Sequence, residues 1–235
     1  MEVQIAVAKV NKYASAESGD TLEALERPNG GVSVVLADGQ TSGRGAKAIS
    51  MMVVRRVTSL LAEGVRDGAA ARAASDALYT EKKGKVISTL NIASVDLHSG
   101  TIVLTRNSPA PIFVARGDKT DCLDAESFPL GTSRDVRPVI TEMEIEAGLT
   151  VIIYTDGLMH AGERRGQPID VCEVIRSLLE DQEPSPQELA DELLAFAVSL
   201  DDERPADDIS VLVMRVMPLS GDDVRRMTIR LPITA

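Results

Sequence analysis

The stretch from residue 86 to residue 123, VISTLNIASVDLHSGTIVLTRNSPAPIFVARGDKTDCL, predicts a meander of short β-strands. Its apolar and β-branched runs are separated by turn dipeptides at 99–100 and 117–118. Pro109 and Pro111 mark a break or a strand edge, because proline cannot donate to the hydrogen-bond ladder of a sheet. Consecutive strands joined by short turns pair antiparallel, so this stretch favours a fold built on antiparallel sheets.

The segments on either side add helices and further strands. Apolar residues recur at helical spacing over about 43–63, and an alanine-rich helix is expected over 69–80. Helices return at about 170–181 and 185–200, the latter opened by a Ser-x-x-Glu capping box. Other strands are expected in VQIAVAKV, VSVVLA, RPVITEMEIEAGLTVIIYTDG and DISVLVMRVM, and an extra terminal strand is expected within 219–235. This order favours the α+β class over a doubly wound parallel fold.

Length and composition limit the classes of protein that this chain can be. The 235 residues contain no repeat, low-complexity segment or long linker, so we expect one domain over 1–235. A formal net charge of −11 disfavours nucleic acid and anionic membranes as partners, but it suits a site where acids hold cations. No apolar run approaches the length of a membrane span, and the N-terminus does not resemble a signal peptide.

The cysteines predict a reducing compartment. Cys122 and Cys172 are the only two, with no CxxC spacing and no neighbouring histidine. A disulfide framework or a thiolate zinc site is therefore not expected, and the cytoplasm is the expected location.

Acidic residues lie at the tips of the most apolar predicted strands. The candidates are Asp38-Gly39, Asp156-Gly157, Asp207-Asp208 and, more weakly, Asp20. Carboxylates that are crowded together repel one another unless a cation lies between them, and Mg²⁺ and Mn²⁺ prefer oxygen ligands. Two such ions would activate a bridging water and hold a phosphoryl group.

Each of these motifs also has a simpler interpretation. Asp-Gly is a common turn dipeptide, and any single example is best interpreted as a turn. Three acidic motifs that border three apolar strands are harder to explain this way, so the set favours a shared metal site.

Other nucleotide and phosphate motifs fit the sequence less well. The run from Gly43 to Ala48 satisfies GxGxxA, but it lies too far beyond the strand and follows Asp38, whose charge opposes a pyrophosphate. No Gly-Lys-Ser/Thr is present for a P-loop. A phosphatase with an aspartyl nucleophile would need two acids spaced DxD; it remains the closest chemical rival.

The ordered motifs resemble those of metal-dependent type 2C-like (PPM) serine/threonine phosphatases. They are ESGD, ADGQTSGRGAKA, STLNIASVDLHSGTIVLTRNSPAPIFVARG, FPLGTS, IIYTDGLMHA and ADDISVLVM, and they cover roughly residues 15–217. The similarity is greatest to the bacterial branch that contains the stage II sporulation phosphatase, RsbU and RsbX, with stand-alone RsbX the most similar. The resemblance implies a four-layer αββα sandwich: two antiparallel sheets flanked by helices.

The resemblance also implies a set of site residues. Its metal ligands would be Asp38 as the bridge between two Mn²⁺ or Mg²⁺ ions, the Gly39 carbonyl, Asp156, Asp207 and Asp20, with Asp208 supporting. The number of ions, two or three, stays open. A metal-bridging hydroxide would attack phosphorus in line, so that Asp38 and Asp156 would act in catalysis through it.

The chain departs from the family pattern in a few places. Thr41 replaces a glycine of the loop after Asp38, and we find no counterpart of the phosphate-gripping arginine or the leaving-group histidine of eukaryotic members. Arg44 and Lys47 are near the site in sequence but are expected to be solvated. His98 and His160 are expected to be surface or packing residues.

The resemblance implies a protein phosphatase acting on phosphoserine or phosphothreonine in a bacterial regulatory protein. By analogy, its substrate would be an anti-sigma-factor antagonist or stressosome component that carries a STAS domain. Two alternatives remain open: a non-catalytic interaction module with the same fold, and a Mg²⁺- or Mn²⁺-dependent hydrolase of small phosphate esters.

Overall fold

The computed structural model describes residues 1–40, 42–181, 184–230 and 232. Its strands are β1 (Glu2–Val10), β2 (Asp20–Glu26), β3 (Val32–Asp38), β4 (Leu90–Asp96), β5 (Thr101–Asn107), β6 (Ile112–Arg116), β7 (Lys119–Leu123), β8 (Val139–Glu144), β9 (Thr150–Tyr154) and β10 (Ile209–Met217). Its α-helices are α1 (Gly43–Ala62), α2 (Asp67–Lys82), α3 (Asp156–Met159), α4 (Val171–Asp181) and α5 (Pro186–Leu200), and a 3-10 turn covers Glu163–Arg165.

The strands form two five-stranded sheets. The first has the order β1-β10-β9-β6-β7 and the second has the order β2-β3-β4-β5-β8. Every pairing within the sheets is antiparallel. The meander over residues 86–123 is confirmed, but it supplies both sheets: β4 and β5 belong to the second and β6 and β7 to the first.

Alternate faces of the strands pack in different layers. In β3, Val34 and Leu36 lie between the sheets, whereas Val35 and Ala37 pack against α1 and α2. The outer face of the first sheet packs on α4 and α5. A strand that is buried on both faces needs a continuous apolar run, which explains VSVVLA. The αββα layering and the α+β class are therefore confirmed.

The helix signals were also reliable. The Ser185 hydroxyl accepts from the Glu188 amide, while the Ser185 amide donates to the Glu188 carboxylate, which completes the expected capping box. The terminal segment differs from expectation, because its described residues 219–230 and 232 form no strand. Arg225 in this segment donates instead to the Gly30 carbonyl. No helix of the described residues is both long and apolar enough to cross a membrane.

A disulfide corrects the expectation for the cysteines. Cys122 on β7 and Cys172 on α4 are joined, with Cα atoms 6.3 Å apart. The two residues are 50 positions apart in sequence, so their proximity depends on how α4 packs against the edge strand β7. Sequence spacing alone carries no such information. The cysteines therefore no longer support a reducing compartment.

Reduction of this disulfide is expected to lower the free energy of unfolding by about 2–4 kcal/mol. The cross-link limits the conformations of the unfolded chain, and reduction removes that limit. Urea denaturation with and without a phosphine reductant measures the change. The double variant Cys122→Ser/Cys172→Ser should be as stable as the reduced wild type, and the reductant should not change its stability. Superimposable curves for oxidised and reduced wild type would show that the bond adds nothing.

Candidate metal centre

Two carboxylates face each other where β2 begins and β3 ends. Asp20 and Asp38 are direct partners in the antiparallel register of these strands. The residues just before β4 fix the main chain of Asp38. Its carbonyl accepts hydrogen bonds from the Ser88 hydroxyl at 2.6 Å and from the Thr89 amide at 2.9 Å. The two acids thus project from a rigid sheet edge.

The other sheet presents its acids at the same place. Asp156 follows β9 at the start of α3, and Asp207 and Asp208 precede β10, which pairs with β9. Two hydroxyls contact Asp20 across the sandwich: Ser210 Oγ, on β10, lies 2.6 Å from its Oδ2, and Thr155 Oγ1, directly after β9, lies 3.1 Å from it. Acids from both sheets therefore meet at one edge of the sandwich.

Asp20 has an unsatisfied oxygen at this edge. The residue is fully buried, and its Oδ1 has no hydrogen-bond partner among the described residues. Burial raises the pKa of Asp20, opposed by the hydrogen bonds from Ser210 and Thr155 and by the charge of Lys9. A buried carboxylate oxygen that lacks a partner is costly, and a cation would satisfy it.

The Asp38 carboxyl is buried beside other acids. Burial, followed by the charges of Asp20, Asp156 and Asp207, raises the pKa of Asp38 to about 9. Burial and the charge of Asp207 also raise the pKa of Asp156. Three neighbouring acids with raised pKa values, Asp20, Asp38 and Asp156, suit a hard divalent cation. Within the described ranges, however, no three or more acidic, histidine or cysteine side chains form a ready-made metal cage.

Asp207 and Asp208 are adjacent but have different environments. The Asp207 side chain is 46% exposed and lies 4.0 Å from the Lys12 ammonium. Asp208 is buried, and its two oxygens accept from the backbone amides of Lys12 at 2.9 Å and Gly19 at 2.8 Å. Asp208 therefore fastens the loop before Asp20 to β10.

The glycines of the two Asp-Gly motifs permit close backbone approach. A Cβ on Gly39 would lie 2.0 Å from the Ala46 carbonyl oxygen, and one on Gly157 would lie 2.1 Å from the Asp208 carbonyl oxygen. Both distances are far below van der Waals contact, so a side chain at either position would displace the acid beside it. Thr41, the departure in this loop, lies outside the described residues.

Comparison with known proteins identifies the family. The sequence profile described as "Stage II sporulation protein E (SpoIIE)" matches residues 28–217, most of the chain. The chain belongs to the SpoIIE family. It is 23% identical over 214 residues to stage II sporulation protein E of Priestia megaterium, covering 91% of this chain but only 36% of that relative.

Two solved structures share the fold of this SpoIIE-family chain. The PP2C phosphatase domain of SpoIIE from Bacillus subtilis, solved with a fragment of its regulatory domain, has a TM-score of 0.79 at 21% identity, covering 92% of this chain and 64% of that one. RsbX in complex with magnesium has a TM-score of 0.70 at 18% identity, covering 91% and 94%. The resemblance inferred from the ordered motifs is therefore confirmed.

The structure of this SpoIIE-family chain adds residues that sequence motifs did not reveal. The ammonium groups of Lys9 and Lys47 both donate to the main-chain carbonyl of Asp20, at 2.6 and 2.7 Å. The expectation that Lys47 is solvated was therefore wrong, because α1 packs against β2. Burial lowers the pKa of Lys9, while the charges of Asp20 and other acids raise it.

The remaining expectations for cationic residues hold. The Arg44 side chain is 92% exposed and pairs only loosely with Glu17 at 3.6 Å. His160 is exposed and bonds to Glu163 at 2.9 Å, which raises the pKa of the imidazole. His98 lies in an exposed turn.

Ser210→Ala is expected to destabilise the protein by about 1–2 kcal/mol, because Asp20 would lose its shortest hydrogen bond in a buried site. Urea denaturation in the presence of EDTA measures this loss. Ser99→Ala in an exposed turn is the matched control and should change stability by less than about 0.5 kcal/mol. Equal stability of the Ser210 variant and wild type would show that this hydroxyl does not support Asp20.

Proposed function

We propose that this SpoIIE-family chain is a metal-dependent protein phosphatase that hydrolyses phosphoserine or phosphothreonine. The observation that carries the proposal is the convergence of Asp20, Asp38, Asp156 and Asp207 at one edge of the sandwich. The solved structures that share this fold include a PP2C phosphatase domain and RsbX with magnesium, which supports the same activity and a divalent cation here.

We propose that the residues at this edge hold two Mn²⁺ or Mg²⁺ ions. The ligands would be Asp38 between the ions, the Gly39 carbonyl, Asp156, Asp207 and Asp20, whose Oδ1 needs a partner. When bound, such ions neutralise phosphate charge and lower the pKa of a bound water.

The chain's own groups hold these acids in position. Ser210 and Thr155 orient the Asp20 carboxylate, and the backbone contacts of Asp38 fix that residue at the end of β3. Asp208 secures the loop before Asp20. Because these supports lie in strands or next to strand ends rather than in long loops, the acids need little reorganisation to bind a phosphate ester.

We also propose the kind of phosphoprotein on which this chain acts. A cytoplasmic regulatory phosphoprotein with a STAS domain, such as an anti-sigma-factor antagonist or stressosome component, is the substrate that the family resemblance favours. The chain spans about a third of the curated relative that it matches, so partners of that whole protein are not transferred. The phosphatase unit is proposed to be one domain, and the profile match spans residues 28–217 of it.

One assay tests the function. Phosphate release from a phosphorylated STAS-domain protein and from p-nitrophenyl phosphate is measured with Mn²⁺, Mg²⁺ or EDTA, using wild type and Asp156→Asn. We expect metal-dependent activity that is higher on the phosphoprotein and is lost in Asp156→Asn, while Asp121→Asn on the exposed edge strand retains it. Activity on the small ester alone would favour the ester hydrolase. Phosphoprotein binding without release under every metal would favour a non-catalytic module.

A further inference from the structure

A cationic cleft lies beside the acid cluster. Its volume is about 310 Å³, and its walls come from the loop after β1, the 3-10 turn after α3 and the loop before β10. Four cationic side chains line it, here called the basic cleft: Lys12, Arg164, Arg165 and Arg204. The chain as a whole has a net charge of −11, so this group of cations opposes the general composition.

The acid that lines the cleft is committed to the backbone. Among the described lining residues only Asp201 is acidic, and it is buried. Its Oδ1 accepts from the Gly162 amide at 3.1 Å and its Oδ2 from the Ala206 amide at 2.8 Å. Asp201 therefore joins two walls of the cleft, and the accessible surface is left cationic.

The three arginines of the basic cleft are exposed. The Arg164 guanidinium makes no hydrogen bond or ion pair with any described residue. The Arg204 guanidinium lies 5.3 Å from the centre of the exposed Tyr13 ring, and Arg165 pairs with exposed Asp202 in a surface contact of low energy. These contacts hold the guanidinium groups in place without burying them.

The basic cleft adjoins the catalytic edge. The Lys12 ammonium is 4.0 Å from Asp207, and the Lys12 amide donates to Asp208. The arginines of the 3-10 turn follow α3, whose first residue is Asp156. A polypeptide that places a phosphorylated residue at the acids would therefore reach the cleft within a few residues, at about 3.3 Å per residue.

We propose that the basic cleft binds an anionic side chain of the substrate, a carboxylate or a second phosphate, close in sequence to the phosphorylated residue. The inference rests on the proposed phosphatase function of the adjoining acids. Guanidinium groups bind carboxylate and phosphate through paired, charge-assisted hydrogen bonds. The cleft thus selects phosphorylated segments with acidic neighbours, and it draws anionic substrates toward an otherwise acidic protein.

A binding experiment tests the cleft without relying on catalysis. Fluorescence anisotropy in EDTA compares three labelled ten-residue peptides, which carry four glutamates, four glutamines or four phosphoserines. Wild type is expected to bind an anionic peptide at least about tenfold more tightly than the glutamine peptide, with the preference lost at high salt. Binding of the glutamate or the phosphoserine peptide identifies which anion the cleft prefers.

Charge-matched variants locate the binding. Arg164→Gln/Arg204→Gln is expected to abolish the preference, whereas Arg55→Gln/Arg56→Gln, which removes two exposed charges from α1, should retain it. The absence of a preference in wild type, or an equal loss in both double variants, would overturn the inference.

Kinetics then separates this inference from the phosphatase proposal. With Mn²⁺, kcat/KM on a phosphoserine peptide flanked by glutamates should exceed that on its glutamine counterpart about tenfold, and Arg164→Gln/Arg204→Gln should remove most of this ratio. Preferential binding without any phosphate release would refute the phosphatase proposal and leave the anion site standing. Release at equal rates from both peptides would refute the anion site and leave the phosphatase.

Discussion

Asp38→Asn is expected to lose metal-dependent phosphate release by at least about 10³-fold while the metal-free protein becomes more stable. The loss of activity follows from the position of Asp38 between Asp20 on its own sheet and Asp156 and Asp207 on the other. Bound divalent cations stabilise the charge of the transition state by several kcal/mol, and each 1.36 kcal/mol corresponds to a factor of ten in rate.

The gain in stability comes from the state of Asp38 when no metal is bound. Burial and three neighbouring acids raise the pKa of Asp38 to about 9, so without metal the folded protein keeps this carboxyl protonated at neutral pH, where the unfolded chain would ionise it. Folding must therefore take up a proton at this carboxyl, which costs free energy above the pKa of the unfolded chain. An asparagine side chain of nearly the same shape takes up no proton and avoids this cost. We expect a gain of about 1–3 kcal/mol at pH 8 in EDTA.

Two measurements check this pair of effects. Steady-state kinetics with saturating Mn²⁺ gives the activity, and urea denaturation in EDTA gives the stability. Asp118→Asn in an exposed turn is the control and should change neither. An Asn variant that keeps its activity would remove Asp38 from the site; one that is inactive but less stable would indicate that the residue serves the fold alone.

The candidate acids could be predicted because their signal is local. Each of Asp38, Asp156 and Asp207 borders an apolar strand, and the end of a strand is visible in a single sequence. Their supports could not be predicted. Ser210 lies on β10 and Thr155 directly follows β9 of the first sheet, whereas Asp20 lies on the second, so their hydrogen bonds exist only once the two sheets pack.

The same distinction explains the errors. The expected solvation of Lys47 was wrong because its contact with the Asp20 carbonyl depends on the packing of α1 over β2. The disulfide was missed because β7 and α4 meet only through tertiary structure. The meander was predicted from local turns, but local turns do not specify which sheet a strand joins, and its strands divide between the two sheets.

The metal-free protein is expected to lose stability as pH rises from about 5.5 to 8.5. Asp20, Asp38 and Asp156 all have raised pKa values, that of Asp38 to about 9. The folded state therefore binds protons that the unfolded chain releases above about pH 4, so stability falls with pH until these carboxyls ionise. His160, whose pKa is also raised, contributes in the same direction near neutral pH.

Saturating Mg²⁺ is expected to reverse this loss. A cation replaces the protons among the carboxylates, and a ligand present at about a thousand times its dissociation constant adds about 4 kcal/mol, or roughly 8–16 °C in Tm for a chain of this size. Scanning calorimetry at pH 5.5 and 8.5, with EDTA or Mg²⁺, measures the change of Tm with pH and the change of Tm with Mg²⁺. The Mg²⁺ effect should be larger at pH 8.5, and Asp38→Asn should weaken both the pH dependence and the response to Mg²⁺. Two results would contradict a cation site among these acids: a Tm in EDTA that rises with pH, or a Tm at pH 8.5 that is the same in EDTA and in Mg²⁺.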